Sequence, residues 1–347
     1  MTEPLTLYEL LERSGARVRA YDIGRRIGPL GREAFLAFER AAAPYPRPMQ
    51  RKAWVALVQD SPTAGGEPVI WFLRLGLDEQ GLLIQAERDY LLERLLESAQ
   101  AQHRGGDAQS FLQDNPCAFT PREDRMALFH ALLSSDLGLP PSRFYAHALD
   151  YFKGGPGWDR WEFVGYQGIA DVACRHDDQP LTAAIEHLPR EPLLALCHCL
   201  ESSLPSSRLR EALSDRLRHT MATTPDDTAL LAAIIRGLSA RGDSGSLQRA
   251  IKTLLGQPQG SDVEVLVAIA GRAWEGLADD GLLETYLQRL ADNSHGQTVF
   301  ERCVTDLLGL PMLAPTLRRA LRSPDQSPRV REAFARMTRD RAPPPVA

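Results

Sequence analysis

ALLAAIIRGL (229–238) is an apolar segment with helical spacing, and it indicates the fold class. Three similar stretches lie in the same half of the chain: PLLALCHCL (192–200), EVLVAIAGRAW (264–274) and TVFERCVTDLL (298–308). In each, apolar residues recur three and four positions apart, as they do in a helix packed against other helices. We therefore predict that the second half of the chain is helical.

A second pattern follows each of these apolar segments. It has the form L-x-x-(A/Y)-(L/I) and occurs as LREAL (209–213), LQRAI (247–251), LETYL (283–287) and LRRAL (317–321). The leading leucines are 38, 36 and 34 residues apart. Two helices per unit at this period are typical of an α-solenoid, in which stacked units share one core. The sequence thus predicts HEAT-like helical hairpin repeats, with an irregular helical bundle as the alternative.

The N-terminal part carries strand signals instead. AWVALVQ (53–59) and VIWFLRL (69–75) are rich in β-branched and aromatic residues. We predict that they pair antiparallel, with Val18–Ile23 as a third strand and a helix at Leu83–Ala99 packed on the sheet. The fold class is therefore predicted to be mainly α, with a small α+β domain at the N-terminus.

Breaks in these patterns suggest a domain layout. HRGGD (103–107) is polar and glycine-containing, so it is predicted to be a linker. The predicted parts are the α+β domain, a helical connecting region, the repeat array and a disordered tail. Their boundaries are 1–102, 108–176, 177–340 and 341–347.

Composition narrows the functional class. The net charge is −5, which argues against a chain that is basic throughout and coats nucleic acid. No stretch approaches the roughly 18 consecutive apolar residues of a membrane span. The five cysteines lie within apolar helical segments, as reduced thiols do in the cytoplasm. We expect a cytoplasmic protein without a membrane partner.

One region departs from this charge balance. Leu317–Arg341 contains eight arginines against Asp325, Glu332 and Asp340. Basic runs of this kind can meet acidic partners, although a solvated surface is the common explanation. Association with RNA or the ribosome through this basic C-terminal end is therefore an alternative function.

Five potential metal ligands lie close together in the sequence. Cys174, His176, Cys197, His198 and Cys199 supply enough sulfur and nitrogen atoms for zinc. Their spacing does not match the C-x2-C or H-x3-H pairs of known sites, and Cys197 follows the apolar stripe of its helix. We predict that these side chains serve packing, and we expect neither a metal nor a cofactor.

Catalysis has weak candidates. His130 and His147 fall on predicted apolar stripes, and a buried histidine beside a carboxylate such as Asp171 can act as a base. No nucleophile elbow, phosphate loop or HExxH motif accompanies them. The prediction therefore leans against an enzyme, with an unrecognised site near 130–171 as the alternative.

The segment GGPGWDRWEFVGYQGIAD (154–171) is the first binding candidate. We predict one helix from Trp158 to about Cys174, with tryptophans and glycines on one face and polar residues on another. Tryptophan and tyrosine are frequent anchors of protein interfaces. The alternative is a helix wedged between the two domains. The candidate binding residues are Trp158, Asp159, Trp161, Glu162 and Tyr166.

A second binding candidate is DIGRRIGPLGR (22–32). Its glycines do not follow the G-x-G-x-x-G or G-x4-G-K-(S/T) patterns of nucleotide sites. Arg25 and Arg26 could still grip an acidic partner through bidentate contacts.

The sequence also resembles a family of uncharacterised bacterial proteins of about this length. The resemblance rests on DIGRRI (22–27), FLAFE (35–39) followed by PYPRP (44–48), EPVIWFLRLGLDEQG (67–81), RMALFHALL (125–133) and VGYQGIAD (164–171). It implies a stand-alone cytoplasmic protein of this layout and brings no activity, cofactor or substrate. The function we expect is a non-enzymatic adaptor or scaffold that binds a protein partner on the helical-repeat surface.

Overall fold

The computed structural model describes residues 5–60, 68–103, 115–175, 178–240 and 244–339. The chain divides into two compact units, one of Met1–Glu123 with Gly309–Pro311 and the other of Asp124–Leu308 with Met312–Ala347. The predicted disordered tail and all of the predicted linker except His103 lie outside the described residues.

The first unit is built on a four-stranded antiparallel sheet of order β2-β1-β3-β4. The strands are β1 (Arg17–Asp22), β2 (Gly28–Leu30), β3 (Lys52–Asp60) and β4 (Val69–Gly76). The two strongest strand signals pair as predicted, with Val58 opposite Ile70, and β1 joins them as the third strand. Strand β2 was not predicted, because three residues containing a proline give no alternating pattern.

Helices cover this sheet. They are α1 (Leu7–Glu12), α2 (Arg32–Glu39) and α3 (Gln85–His103). One buried apolar cluster packs all three helices against β3. It contains Leu7, Phe38, Leu57 and Leu91. Helix α1 begins with a capping box in which Thr6 and Glu9 satisfy each other's backbone N–H groups.

The second unit is helical throughout its described part. Its α-helices are α4 (Glu123–Asp136), α5 (Tyr145–Phe152), α6 (Tyr166–Cys174), α7 (Asp178–Ala184), α8 (Arg190–Leu200), α9 (Ser207–Thr223), α10 (Thr228–Leu238), α11 (Ser244–Leu255), α12 (Val263–Arg272), α13 (Asp280–Ala291), α14 (Gln297–Leu308), α15 (Ala314–Arg322) and α16 (Pro328–Arg339). Each L-x-x-(A/Y)-(L/I) pattern and three of the apolar stretches fall inside one of these helices. The fourth stretch, EVLVAIAGRAW (264–274), runs past the end of α12 at Arg272 into a 3-10 helix at Trp274–Ala278. A mainly helical chain with a small N-terminal sheet is therefore confirmed.

These helices pack in two series. Helices α6, α8, α10, α12 and α14 contact one another in that order, and α7, α9, α11 and α13 do the same. Helix α10 lies between α8 and α12 and is buried along most of its length, including Leu231, Ile234 and Ile235. Neighbouring helices of each series therefore pack directly against one another.

The predicted single helix from Trp158 to Cys174 is wrong. The chain forms a 3-10 helix at Trp158–Phe163, and α6 begins only at Tyr166. Val164 and Gly165 are extended between them, and Gly165 is the N-cap residue of α6. The two tryptophans and the glycines of this segment therefore do not share one helical face.

Candidate functional site

The first candidate site starts from the sharp turn GGPG (154–157). Gly154 has a φ of 80° and Gly157 a φ of 89°, a backbone region that favours glycine. A Cβ atom on Gly154 would lie 3.3 Å from the ring of Trp158, so the tryptophan packs directly over the turn. The glycines therefore set both the course of the chain and the position of the indole.

Trp158 is held by two further contacts. The hydroxyl of buried Tyr151 donates a hydrogen bond to the Trp158 carbonyl oxygen at 2.9 Å, and the two rings meet edge-on. Burial raises the pKa of Tyr151 to about 12, so its hydroxyl keeps the proton that it donates. On its other side, the indole stacks on His187, with ring centroids 5.6 Å apart and an interplanar angle of 23°.

Beside this stack lies an open cleft of about 430 Å³. This volume falls in the range of about 300–1,000 Å³ that small ligands and anchoring side chains occupy. The wall comes from the end of α5, the 3-10 helix and α7. The cleft is lined by Phe152, Lys153, Trp158, Gln179, Pro180, Ala183 and His187. We call these residues the Trp158 cleft.

The cleft combines apolar and polar surface. Phe152 is buried, whereas Lys153, Gln179 and His187 are exposed. The apolar wall can bury a ring or a branched side chain, and the exposed polar groups can bond to its neighbours. Trp158 is the one predicted binding residue in this lining. Sequence analysis missed His187, because it lies 29 residues further along the chain and meets the indole only through packing.

The other binding candidates of this segment are spread apart. Asp159 and Glu162 are exposed, and Trp161 is half-buried on the same short helix. The hydroxyl of Tyr166 instead shares a hydrogen bond with the Cys199 thiol. Burial, together with Cys199, raises the pKa of Tyr166 well above its usual range.

A second polar site, which the sequence did not indicate, begins two residues after Cys199. Glu201 follows α8 directly and is fully buried. Its Oε1 accepts a hydrogen bond from Arg125 at 2.8 Å, and its Oε2 accepts one from Arg236 at 2.8 Å. Arg272 stands 3.8 Å from the same carboxylate. We call these four residues the Glu201 cluster.

The charges of this cluster set its protonation. Burial alone would raise the pKa of Glu201, but the guanidiniums of Arg272, Arg236 and Arg125 lower it to about 2. Nearby, burial and Arg236 lower the pKa of His198 to about 4. Glu201 is therefore an anion and His198 a neutral imidazole at physiological pH.

Two arginines of this cluster also lie where a helix favours positive charge. Arg236 lies in the last turn of α10 and Arg272 in the last turn of α12, where cations favour the helix dipole. Glu201, Arg236 and Arg272 follow one another at intervals of 35 and 36 residues. All three lie at or near the C-terminal ends of α8, α10 and α12, which pack side by side.

The catalytic candidates do not share one environment. His130 and His147 are exposed, so the prediction that they lie on buried stripes is wrong. On α4 the buried side contains Leu128, Phe129 and Leu132, which turns position 130 outward. Asp171 is buried, and its Oδ2 accepts a hydrogen bond from the backbone N–H of Ser142 at 3.2 Å. The carboxylate therefore stabilises the backbone just before α5.

Arg25 and Arg26 do not lie on the surface, where contact with an acidic partner would require them to be. Both side chains are buried, 1% and 2% exposed. The Nε of Arg25 donates to the Pro48 carbonyl oxygen at 2.6 Å. In the same loop Asp22 accepts from the Gly24 N–H and pairs with Arg47. These arginines therefore organise the interior of the first unit.

The described residues can also be compared with the requirements of a metal site and of a membrane span. Within them, no group of three or more histidine, cysteine, aspartate or glutamate side chains is arranged to hold a metal ion. His176, one of the ligands considered, lies outside that part of the chain. No helix in the described ranges is both long enough and apolar enough to cross a bilayer.

No curated protein and no solved structure matches the chain. One family model, described as "Protein of unknown function (DUF3549)", matches residues 3–338. Since this match spans nearly the whole sequence, the chain belongs to that family.

Proposed function

We propose that this protein is a non-enzymatic scaffold that binds a protein partner. In this proposal the second unit is an α-solenoid of HEAT-like helix pairs, and the partner inserts an aromatic or aliphatic side chain into the Trp158 cleft. The observation that carries the proposal is the repeated stacking of helix pairs, because such arrays offer extended surfaces for protein binding.

Contacts at one recurring sequence separation support the solenoid. Arg190 pairs with Asp227, 37 residues away, and Arg236 donates to Glu201 over 35. Further along, Arg289 donates to the Leu255 carbonyl over 34 residues, and Gln297 donates to the Ala333 carbonyl over 36. In a solenoid each unit meets its neighbour one period away, which gives this spacing.

The exposed side of the α8–α10–α12–α14 series supports a binding role. Val267 on α12 is 49% exposed although it lies in a largely apolar helix. Leu194 and His198 on α8 are half-buried on a similar stripe, and Glu264 and Arg302 add charge. A mixture of apolar and charged side chains is the composition of ordinary protein interfaces.

The Trp158 cleft supports the anchor. A tryptophan fixed by its neighbours loses little side-chain entropy on binding, and this favours its use as an energetic centre of an interface. Tyr151 and Gly154 hold Trp158 from within the fold, while His187 covers one face of the indole. A partner side chain would contact the remaining apolar wall and leave Lys153 and Gln179 at the rim.

A cytoplasmic site of action is part of the proposal. All five cysteines are free thiols and all are buried. A chain that keeps five reduced cysteines suits a reducing compartment.

Site-specific photocrosslinking tests the scaffold. A benzophenone amino acid replaces Gln179 at the rim, and in a control protein it replaces exposed Arg249 on α11. In native lysate we expect one crosslinked partner from position 179 and none from 249. Adding Trp158→Ala should remove the adduct, whereas Trp161→Ala, on the same short helix but outside the lining, should keep it.

Two outcomes would count against the scaffold. Equal adducts from both positions would mean that contact is non-specific. An adduct that survives Trp158→Ala would separate partner binding from the cleft and move the proposed anchor elsewhere on the array.

A further inference from the structure

The last two helices carry an unusual concentration of exposed cations. Seven arginines of α15 and α16 are exposed: Arg318, Arg319, Arg322, Arg329, Arg331, Arg336 and Arg339. We call them the C-terminal arginine surface. Asp325 and Glu332 are the carboxylate-bearing residues between positions 317 and 339. The surface is therefore strongly positive, although the whole chain has a net charge of −5.

The apolar side of each helix forces this arrangement. Leu317 and Leu321 of α15 are buried, as are Val330 and Met337 of α16. The two helices also pack on each other and on α13. Since the apolar stripes face the core, the arginines must point to solvent, and Arg318 and Arg322 stand one helical turn apart.

Most of this charge is not strongly neutralised. Arg319 pairs with Asp280, and both side chains are 69% exposed. Arg329 pairs with Asp292, and Arg336 with Glu332, in similarly exposed positions. Pairs of this kind are screened and contribute little, so they can exchange for other anions. Within the described ranges, Arg318, Arg322, Arg331 and Arg339 make no ion pair.

We propose that the C-terminal arginine surface binds the phosphate backbone of nucleic acid. The guanidinium group matches phosphate geometry with two parallel hydrogen bonds. Backbone contacts also need no apolar core, whereas a protein interface usually has one. The buried leucines, valine and methionine leave this surface without such a core, which favours nucleic acid over an acidic polypeptide.

Fluorescence anisotropy with the full-length protein tests this. The probes are a fluorescein-labelled 20-nucleotide single-stranded RNA and a double-stranded DNA of the same length, titrated at several salt concentrations. If about four phosphates are contacted on the single strand, the logarithm of affinity falls with the logarithm of salt with a slope of about −3. This corresponds to a loss of roughly 50-fold between 50 and 200 mM salt. The preferred probe tells which nucleic acid is the natural source of phosphate.

Charge reversal then locates the contacts. Arg318→Glu/Arg322→Glu should weaken binding by about tenfold or more and make the slope shallower by about 1.4. Arg331→Glu/Arg339→Glu should behave similarly, so the test survives if one pair of changes disturbs folding. The control is Arg208→Glu/Arg249→Glu on α9 and α11, which changes net charge equally and should leave affinity within about twofold.

Three results would overturn the proposal. One is the absence of salt-dependent binding to either probe. Another is an equal loss in the control pair, since net charge alone would then explain it. The third is tight binding of poly-glutamate combined with no binding of either nucleic-acid probe, which would assign the surface to an acidic polypeptide.

Discussion

The Nε of Arg236 donates to the Glu201 carboxylate at 2.8 Å, and the two residues occupy the C-terminal ends of neighbouring helices α10 and α8. With Arg125 on α4 and Arg272 on α12, this contact ties four helices to one buried anion. Removing a carboxylate from water costs free energy. The buried Glu201 anion is therefore stable only while the arginines pair with it.

Glu201→Gln should therefore lower the free energy of unfolding by roughly 3–5 kcal/mol, the usual cost of removing one member of a buried ion pair. Urea denaturation at pH 7 measures this. The control is Glu191→Gln, whose exposed carboxylate lies 3.9 Å from Arg190 and whose loss should cost less than about 0.5 kcal/mol.

The pH dependence of the same variant gives a second check. The folded-state pKa of Glu201, about 2, is below its ordinary 4.5, so its stabilisation is complete above pH 4.5 and is lost as the pH falls through 2. The gap between wild type and Glu201→Gln should shrink over that window. A gap that stays constant would show that the cluster's charge does not stabilise the fold.

Glu39 should have the opposite pH dependence. Its carboxylate accepts the N–H groups of Leu7 and Tyr8 at the start of α1, but burial dominates and raises its pKa to about 7. Because the folded state holds this proton more tightly than the unfolded chain, stability should rise as the pH falls from about 7.5 towards 4.5. Urea denaturation of wild type and Glu39→Gln across this range measures the difference.

The size of the stability gain from Glu39 follows from the same relation between pKa and stability. The gain from pH 7.5 to 4.5 should be at most on the order of 3 kcal/mol, and it should be absent in Glu39→Gln. Glu33→Gln on the same helix, with an exposed carboxylate, should keep the wild-type profile. A profile in Glu39→Gln identical to that of wild type would contradict the assignment.

Gly168→Ala should destabilise the second unit. A Cβ atom there would lie 2.6 Å from the Phe144 carbonyl oxygen and 2.8 Å from the Ala148 Cβ, so α5 and α6 would have to move apart. We expect a loss of about 1–3 kcal/mol from overpacking, measured by thermal or urea unfolding. Gly271→Ala, at a helical glycine with open space, should be neutral or stabilising by up to about 1 kcal/mol. Equal effects would refute the close helix crossing.

The cysteines should be inert in the folded protein. Burial raises the pKa of Cys197 and Cys199 to about 12 and that of Cys303 to about 11, and it also raises those of Cys117 and Cys174. Thiols of this kind form little reactive thiolate. An Ellman assay at pH 7.5 should detect all five in urea and fewer than one within minutes in buffer. Rapid labelling of the native protein would show that a cysteine-containing helix opens readily.

The sequence was most informative where burial is regular. Strand β3 follows from its β-branched and aromatic residues, and the helices around Leu231 and Leu266 follow from their apolar spacing. The pattern misled at Gly165, where helical spacing continues through a residue whose backbone is extended. Local backbone geometry of that kind leaves no periodic signal.

The candidate sites depended on packing between distant residues. Trp158 could be chosen because tryptophan is a frequent interface anchor, but its stack with His187 arises only when α7 folds beside the 3-10 helix. Arg25 and Arg26 were misjudged in the opposite sense, since their charge suggested solvent and the fold buries them. Burial of a charged side chain depends on partners from other segments, such as the Pro48 carbonyl, which spacing alone does not reveal.

The recurring separation of about 35 residues between contacting partners also bears on how the chain folds. Closing a loop of this length costs little more entropy than closing a shorter one, since the cost grows only with the logarithm of length. Each helix pair can therefore form against its neighbour soon after both leave the ribosome, without waiting for the C-terminus. Contacts that reach only about 35 residues along the chain predict directional assembly of the helical half during synthesis.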